Sequence, residues 1–383
     1  MRLRGKYAMP VRPSKLKRRL MYSGADRRSE GEIVRNPLAE DLEQIRLATQ
    51  GLWEEMRGQR LFLTGGTGFF GMWLLESFCE VNRELGLGAQ VTVLSRDPGR
   101  FAAKAPHLAA DPAVSMLAGD VRDFAFPEGE FRFVIHAATD TVSNQPVELL
   151  TTILDGTRRA LEFAAQCGAR KFLLTSSGAV YGKQPPEMTH VPESYAGAPD
   201  PLDTAGVYGE GKRASETMCA LYQRAAVERG VPFEAKIARC WAFCGPHLPL
   251  DAHFAVGNFI GDALAGRPIS IGGDGTPRRS YLYAADLAVW LWTMLFRGPA
   301  LEPVNVGSGA DVSIRELAET VAETLAPGTE VRVAKQAAAG AVPSRYVPDV
   351  SRAEKLLGLR ETVGLTEQIR RTAAWHMAQK NAH

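Results

Sequence analysis

The chain has 383 residues, 45% hydrophobic and 23% charged, with a formal net charge of +2. That length suits one large α/β domain with a smaller lobe, or two ordinary domains, and so balanced a charge gives no sign of a nucleic-acid partner. No apolar run approaches the roughly 18 residues of a membrane-spanning helix. The five cysteines include no C-x-x-C pair, so reduced thiols, a cytoplasmic location and no metal site are expected.

Residues 1–19 carry eight Lys/Arg and no acid, so residues 1–35 read as a basic, disordered arm. Asn36-Pro37 then offers an N-cap and a first helical residue. The stripe Leu38, Leu42, Ile45, Leu52, Trp53 and Met56 predicts a helix over 37–57 packed on the main domain. From residue 60, short apolar runs alternate with helical periodicity. Predicted strands are 60–64, 90–95, 114–117, 131–136, 171–176, 233–239 and 303–306. Predicted helices are 69–84, 147–167, 209–229, 255–266 and 286–296. Residues 182–206 are rich in Pro, Gly and Asp and read as a loop.

Such alternation predicts an α/β fold, a Rossmann-type doubly wound parallel sheet with a smaller C-terminal substrate-binding lobe. Residues 58–244 would form the dinucleotide-binding domain, together with the strand at 303–306. Residues 245–302 and 308–376 would mainly form the lobe over the carboxyl ends of the strands.

The strongest local signal is Leu61-Phe-Leu-Thr64-Gly65-Gly66-Thr67-Gly68-Phe69-Phe70-Gly71. A strand runs into a glycine-rich turn that opens a helix. Glycine is needed where the turn is tight and where backbone approaches a pyrophosphate, which then faces the helix N-terminus. Gly65, Thr67, Gly68, Phe69, Phe70 and Gly71 are therefore cofactor candidates. At the end of the second strand an acid would bind the ribose hydroxyls of NAD, whereas an arginine would accept the 2′-phosphate of NADP. Ser95-Arg96 stands there, and Asp97 comes two positions late. NADP(H) is favoured, with NAD(H) the alternative. Further on, Tyr208 and Lys212 are spaced to share one helix face. A lysine ammonium there is expected to lower the phenol pKa and make Tyr208 a proton carrier for hydride transfer.

The G-x-x-G-x-x-G spacing resembles the extended short-chain dehydrogenase/reductase family, of the nucleotide-sugar epimerase/dehydratase type. The likeness extends over roughly residues 58–376. Gly119-Asp120-Val121-Arg122-Asp123 is similar to the family's adenine segment, which implies cofactor contacts for Asp120 and Val121. His136-Ala137-Ala138-Thr139 is similar to the segment along the nicotinamide side. Ser176-Ser177-Gly178-Ala179-Val180-Tyr181-Gly182 resembles the hydroxyl segment of the epimerases. The resemblance thus implies a catalytic triad of Ser177, Tyr208 and Lys212, with Ser177 and Gly178 at the substrate. Gly273-Asp274-Gly275 through Arg279 resembles a diphosphate-contacting segment, and Ser344-Arg345-Tyr346 a later nucleotide-contacting one. They imply substrate-binding roles for Arg279 and Arg345.

Where family 4,6-dehydratases carry Asp-Glu and the related decarboxylases a Glu, this chain has Gly178 and Ala179. Glu193 and Asp203 in the adjoining loop read as solvated. Two family asparagines are replaced, by Ile153 and Ala242. The resemblance therefore implies redox at C4 of a nucleotide-diphosphate sugar in polysaccharide biosynthesis, as a 4-ketoreductase or a 4-epimerase. A dehydratase or decarboxylase is the alternative, and a non-catalytic NADP sensor on the same fold the third reading. The resemblance also implies a homodimer built on helices 147–167 and 209–229. Its pattern would be Leu149, Leu150, Ile153, Leu154, Met218, Leu221 and Tyr222.

Overall fold

Seven strands rich in Val, Leu, Ile and Phe form the central sheet: β1 (Arg60–Thr64), β2 (Gln90–Ser95), β3 (Val114–Ala118), β4 (Phe133–His136), β5 (Lys171–Ser177), β6 (Glu234–Cys240) and β7 (Val304–Val306). The computed structural model describes residues 36–139, 145–252, 254–338 and 340–381, and the expected basic arm at 1–35 lies outside them. The strand order is β7-β6-β5-β4-β1-β2-β3, and every pairing is parallel. β1 sits where the order reverses, between β2 and β4. Open α/β sheets bind ligands at that crevice, outside the carboxyl ends of the strands.

Both faces of the sheet are covered, which is why β1, β4 and β5 are buried, mainly apolar runs instead of alternating ones. One face packs on α1 (Ala39–Ala48) and α2 (Phe69–Glu84), and on a long apolar helix, Ala284–Arg297, that falls within the stretch expected to be mainly lobe. Trp53, Trp73, Trp290 and Trp292 are all buried there. The other face is a phenylalanine cluster under helices Pro146–Gln166 and Val207–Glu228. A separate apolar core joins helices Ala255–Leu264, Ile314–Leu325 and Leu365–Asn381 into a lobe. The lobe also holds a three-stranded sheet with Arg278–Ser280 in the middle, flanked by Asp311–Ser313 and Arg345–Tyr346.

The predicted helix at 37–57 is corrected in two respects. It begins at Ala39, with Leu38 at the N-cap position, and it stops at Ala48. The Thr49 hydroxyl turns back to the Ile45 carbonyl, and the chain resumes as a single 3-10 turn, Trp53–Met56. The segment nevertheless packs on the domain as expected. Asp41, 4% exposed, accepts hydrogen bonds from Tyr283 Oη and Arg371 Nη1, both at 2.6 Å.

The helices expected to pair across a dimer spend part of their apolar stripe inside the subunit. Leu149 and Ile153 are buried, and Ile153 lies against Gly211 of the neighbouring helix. That contact accounts for an apolar side chain where the family carries asparagine. Leu221 and Val147 remain on the surface, 61% and 81% exposed.

Candidate active site

The glycine-rich turn closes against β4. Gly65 has φ +75°, and a Cβ there would lie 2.5 Å from the Ala137 carbonyl carbon. A Cβ on Gly71 would strike the Gly66 Cα at 2.2 Å. Glycine is required at both places because backbone passes backbone without room for a methyl group. Gly68 is the N-cap of α2 and offers no side-chain cap, which leaves the first N–H groups of a 16-residue helix facing the crevice. That is a ready site for a pyrophosphate, so the residues present fit a bound dinucleotide.

Around it lie the other predicted cofactor residues. Ala138 N–H donates to Thr64 Oγ1, and Thr139 Oγ1 accepts from Lys212 Nζ at 2.7 Å. Val121 packs where Gly156 leaves space. Asp120 is clamped by the Arg122 guanidinium at 2.8 and 3.0 Å, which holds its carboxyl below the usual range. Ser95 is buried and Arg96 exposed.

Strand β5 ends in Ser177, and the helix Val207–Glu228 carries Tyr208 and Lys212 to meet it. The Tyr208 phenol stands beside the Ser177 hydroxyl. Ser177 Oγ also accepts the Ala179 N–H at 3.1 Å. Lys212, 2% exposed, donates to Thr139 Oγ1 and, at 2.9 Å, to the Thr175 carbonyl. Burial pushes Lys212 down to about 8. The expected lowering of the phenol by lysine is corrected. Burial pushes Tyr208 up to about 12, and the neighbouring Ser177 hydroxyl opposes the rise. Lys212 Nζ stands 5.9 Å from the ring centroid, engaged elsewhere.

Gly178 is enclosed. A Cβ there would lie 2.6 Å from the Trp241 ring and 2.8 Å from Tyr346 Oη. Trp241 packs against Tyr346 with the rings tilted by 44° and 4.4 Å between centroids, and its Nε1 donates to Asn305 Oδ1 at 3.2 Å. Asn305, fully buried on β7, also accepts from Tyr181 Oη at 3.0 Å. Trp241 and Tyr346 were not singled out as site residues from sequence, because nothing in their local pattern ties them to Ser177.

The predicted substrate arginines divide. Arg279 has no carboxylate partner among the described residues; its Nη1 bonds the Arg278 carbonyl and its guanidinium lies 5.9 Å from the Tyr346 ring. Arg345 instead pairs with Asp311 at 2.9 Å, and Arg278 pairs with the same carboxylate. Asp311 therefore fixes the strand that presents Tyr346. Glu193 is not the solvated acid expected. Its side chain is 4% exposed, Oε1 accepts the Asn305 N–H at 2.9 Å, and burial raises its pKa. Asp203 is exposed and caps a 3-10 turn through Ala205 N–H. All five cysteines are free and buried. No described helix is long and apolar enough to cross a membrane.

The family model described as NAD dependent epimerase/dehydratase matches residues 61–307. UDP-glucuronic acid decarboxylase 2 of Arabidopsis thaliana is 31% identical over 343 residues, 88% of this chain and 73% of the relative. Among solved structures, a dTDP-glucose 4,6-dehydratase from Streptomyces venezuelae with NAD and TYD bound superposes with a TM-score of 0.71. It is 24% identical and covers 85% of this chain and 98% of its own. An NAD-dependent NDP-hexosamine 5,6-dehydratase of tunicamycin biosynthesis gives 0.67 at 25% identity, covering 84% and 98%.

Proposed function

This chain belongs to the NAD dependent epimerase/dehydratase family and is an enzyme; from that premise we propose that it moves hydride to or from C4 of a nucleotide-diphosphate sugar, as a 4-ketoreductase or 4-epimerase. The observation that carries this reading is the placing of Ser177 and Tyr208 side by side next to buried Lys212, with no side-chain acid at 178 or 179. A bound nicotinamide supplies the hydride acceptor or donor. Tyr208 takes the C4 hydroxyl proton as hydride leaves C4, or returns it as hydride arrives. Ser177 hydrogen-bonds the C4 oxygen. Lys212, held by Thr139 and Thr175, supports the nicotinamide ribose. Arg279, with no carboxylate partner among the described residues, is suited to the diphosphate. The lobe built on Arg278–Ser280 would then hold the nucleotide.

The finer cofactor reading is NADP(H). Asp97 uses Oδ1 to accept the Arg100 N–H as a helix cap, while Arg96 stands exposed beside it. A homodimer through helices Pro146–Gln166 and Val207–Glu228 is part of the same reading, supported by exposed Val147 and Leu221.

A second reading, decarboxylation, is favoured by the 31% likeness to a UDP-glucuronic acid decarboxylase. There, oxidation at C4 makes a β-keto acid. The C5 carboxylate leaves as CO2, a proton is added at C5, and hydride returns to C4. The Gly178-Ala179 pair counts against it.

The test is to incubate the purified protein, with each cofactor, with UDP- and dTDP-hexoses, their 4-keto forms and UDP-glucuronic acid, and to identify products by mass spectrometry and NMR. Inversion at C4, or gain of a hydride from NADPH together with a proton from solvent, is expected. A pentose product would establish decarboxylation, and no turnover of any sugar would overturn both readings.

A further inference from the structure

The family resemblance leaves Ser177 with two partners, the substrate and Tyr208. The fold brings a third. Tyr346, from the far end of the chain, brings its phenol to the turn that follows Ser177. Its Oη lies within 2.8 Å of where a side chain at 178 would begin. The ring is held from three directions. Trp241 packs against it, tilted, and is anchored by fully buried Asn305. The strand Arg345–Tyr346 pairs in parallel with Arg278–Arg279. Asp311 ties Arg345 and Arg278 together.

We propose that Tyr346 is a positioning residue for Ser177: its phenol donates to Ser177 Oγ, which turns the serine hydrogen toward Tyr208 and the C4 oxygen, and Gly178 is glycine so that this phenol can reach. The role rests on the proposed function. Ser177 Oγ has two lone pairs and one hydrogen. One lone pair is taken by the Ala179 N–H. If Tyr346 donates to the other, the hydroxyl hydrogen is left to serve Tyr208 or the substrate. A chain of donors running Tyr346 to Ser177 to Tyr208 stabilises the phenolate at its end, because each bond polarises the next. The space taken by an acid in a dehydratase is here filled by a neutral phenol and an indole, which cannot remove a proton from carbon near pH 7.

The experiment compares wild type with Tyr346→Phe, Ser177→Ala, the double variant, and Gly178→Ala, on whichever sugar the wild type turns over. Tyr346→Phe keeps the ring, so Trp241 packing and melting temperature should hold. Its kcat should fall about tenfold with KM changed less than about threefold, the size of one lost hydrogen bond in the transition state. The acidic limb of the pH profile should move to higher pH, since Tyr208 loses support for its ionised form. In the Ser177→Ala background the same change should cost almost nothing further. Gly178→Ala should mimic Tyr346→Phe by pushing the phenol away. Equal losses in both backgrounds, a loss confined to KM, or an unmoved pH profile would overturn this role and leave the proposed function standing. A wild type inert toward every nucleotide sugar would overturn the function and the role together.

Discussion

Asp97 Oδ1 accepts the backbone N–H of Arg100 at 2.9 Å, so the first acid after β2 is the cap of the helix Pro98–Lys104. A carboxylate committed to a cap is poorly placed to bind ribose hydroxyls. Ser95 Oγ accepts the Asp97 N–H at 3.2 Å, and Arg96 remains exposed. NADPH should therefore bind more tightly than NADH. One charge-assisted bond from Arg96 to the 2′-phosphate, worth about 1.5–3 kcal/mol, corresponds to roughly tenfold to hundredfold. Calorimetric titration of both cofactors is the measurement, and Arg96→Ala should remove the preference while sparing NADH. Equal wild-type affinities would instead favour NAD(H), the cofactor in the solved dTDP-glucose 4,6-dehydratase.

Tyr208→Phe should abolish turnover by about a hundredfold or more, the usual worth of a positioned proton carrier. Cofactor binding and melting temperature should stay near wild type. Lys212→Ala should also abolish turnover, but with some loss of stability, because the buried Thr175 carbonyl loses its donor. Near wild-type kcat in Tyr208→Phe would disprove the assignment.

Acid should destabilise the fold through His136. Its ring is buried between Thr64 and Thr157, hydrogen-bonded to Thr64 Oγ1 at 2.8 Å. Burial, with Lys212 adding repulsion, pushes its pKa down to about 3. An unfolded histidine titrates near 6.5. The unfolded state therefore binds the proton first as pH falls. The stability this group contributes is full above about 6.5 and is lost progressively down to about 3, at roughly 1.4 kcal/mol per pH unit. Urea midpoints at pH 7, 6 and 5 should fall more steeply for wild type than for His136→Asn. Parallel slopes would show that His136 is not the group responsible.

A homodimer is expected by light scattering at micromolar concentration, and Val147→Glu with Leu221→Glu should yield a folded monomer. Both residues lie on exposed helix faces, so their replacement costs the subunit core nothing. A wild-type monomer would end that reading.

What the sequence by itself determined was whatever depends on neighbours along the chain. The turn Gly65–Gly71, the seven strands and the pairing of Tyr208 with Lys212 on one face follow from backbone sterics and periodicity, and these act over a few residues. The helix Phe69–Glu84 begins and ends where its pattern does. The tertiary structure decided what depends on burial and on partners far away in sequence. Glu193 is enclosed because Asn305 on β7 needs an acceptor. Arg345 neutralises Asp311, so it and Arg279 have different surroundings despite similar motifs. The phenol of Tyr208 is raised because desolvation acts on it while Lys212 is tied to Thr139 and Thr175. Desolvation and charge pairing are summed over everything within a few ångströms in space, and no window along the chain contains those neighbours.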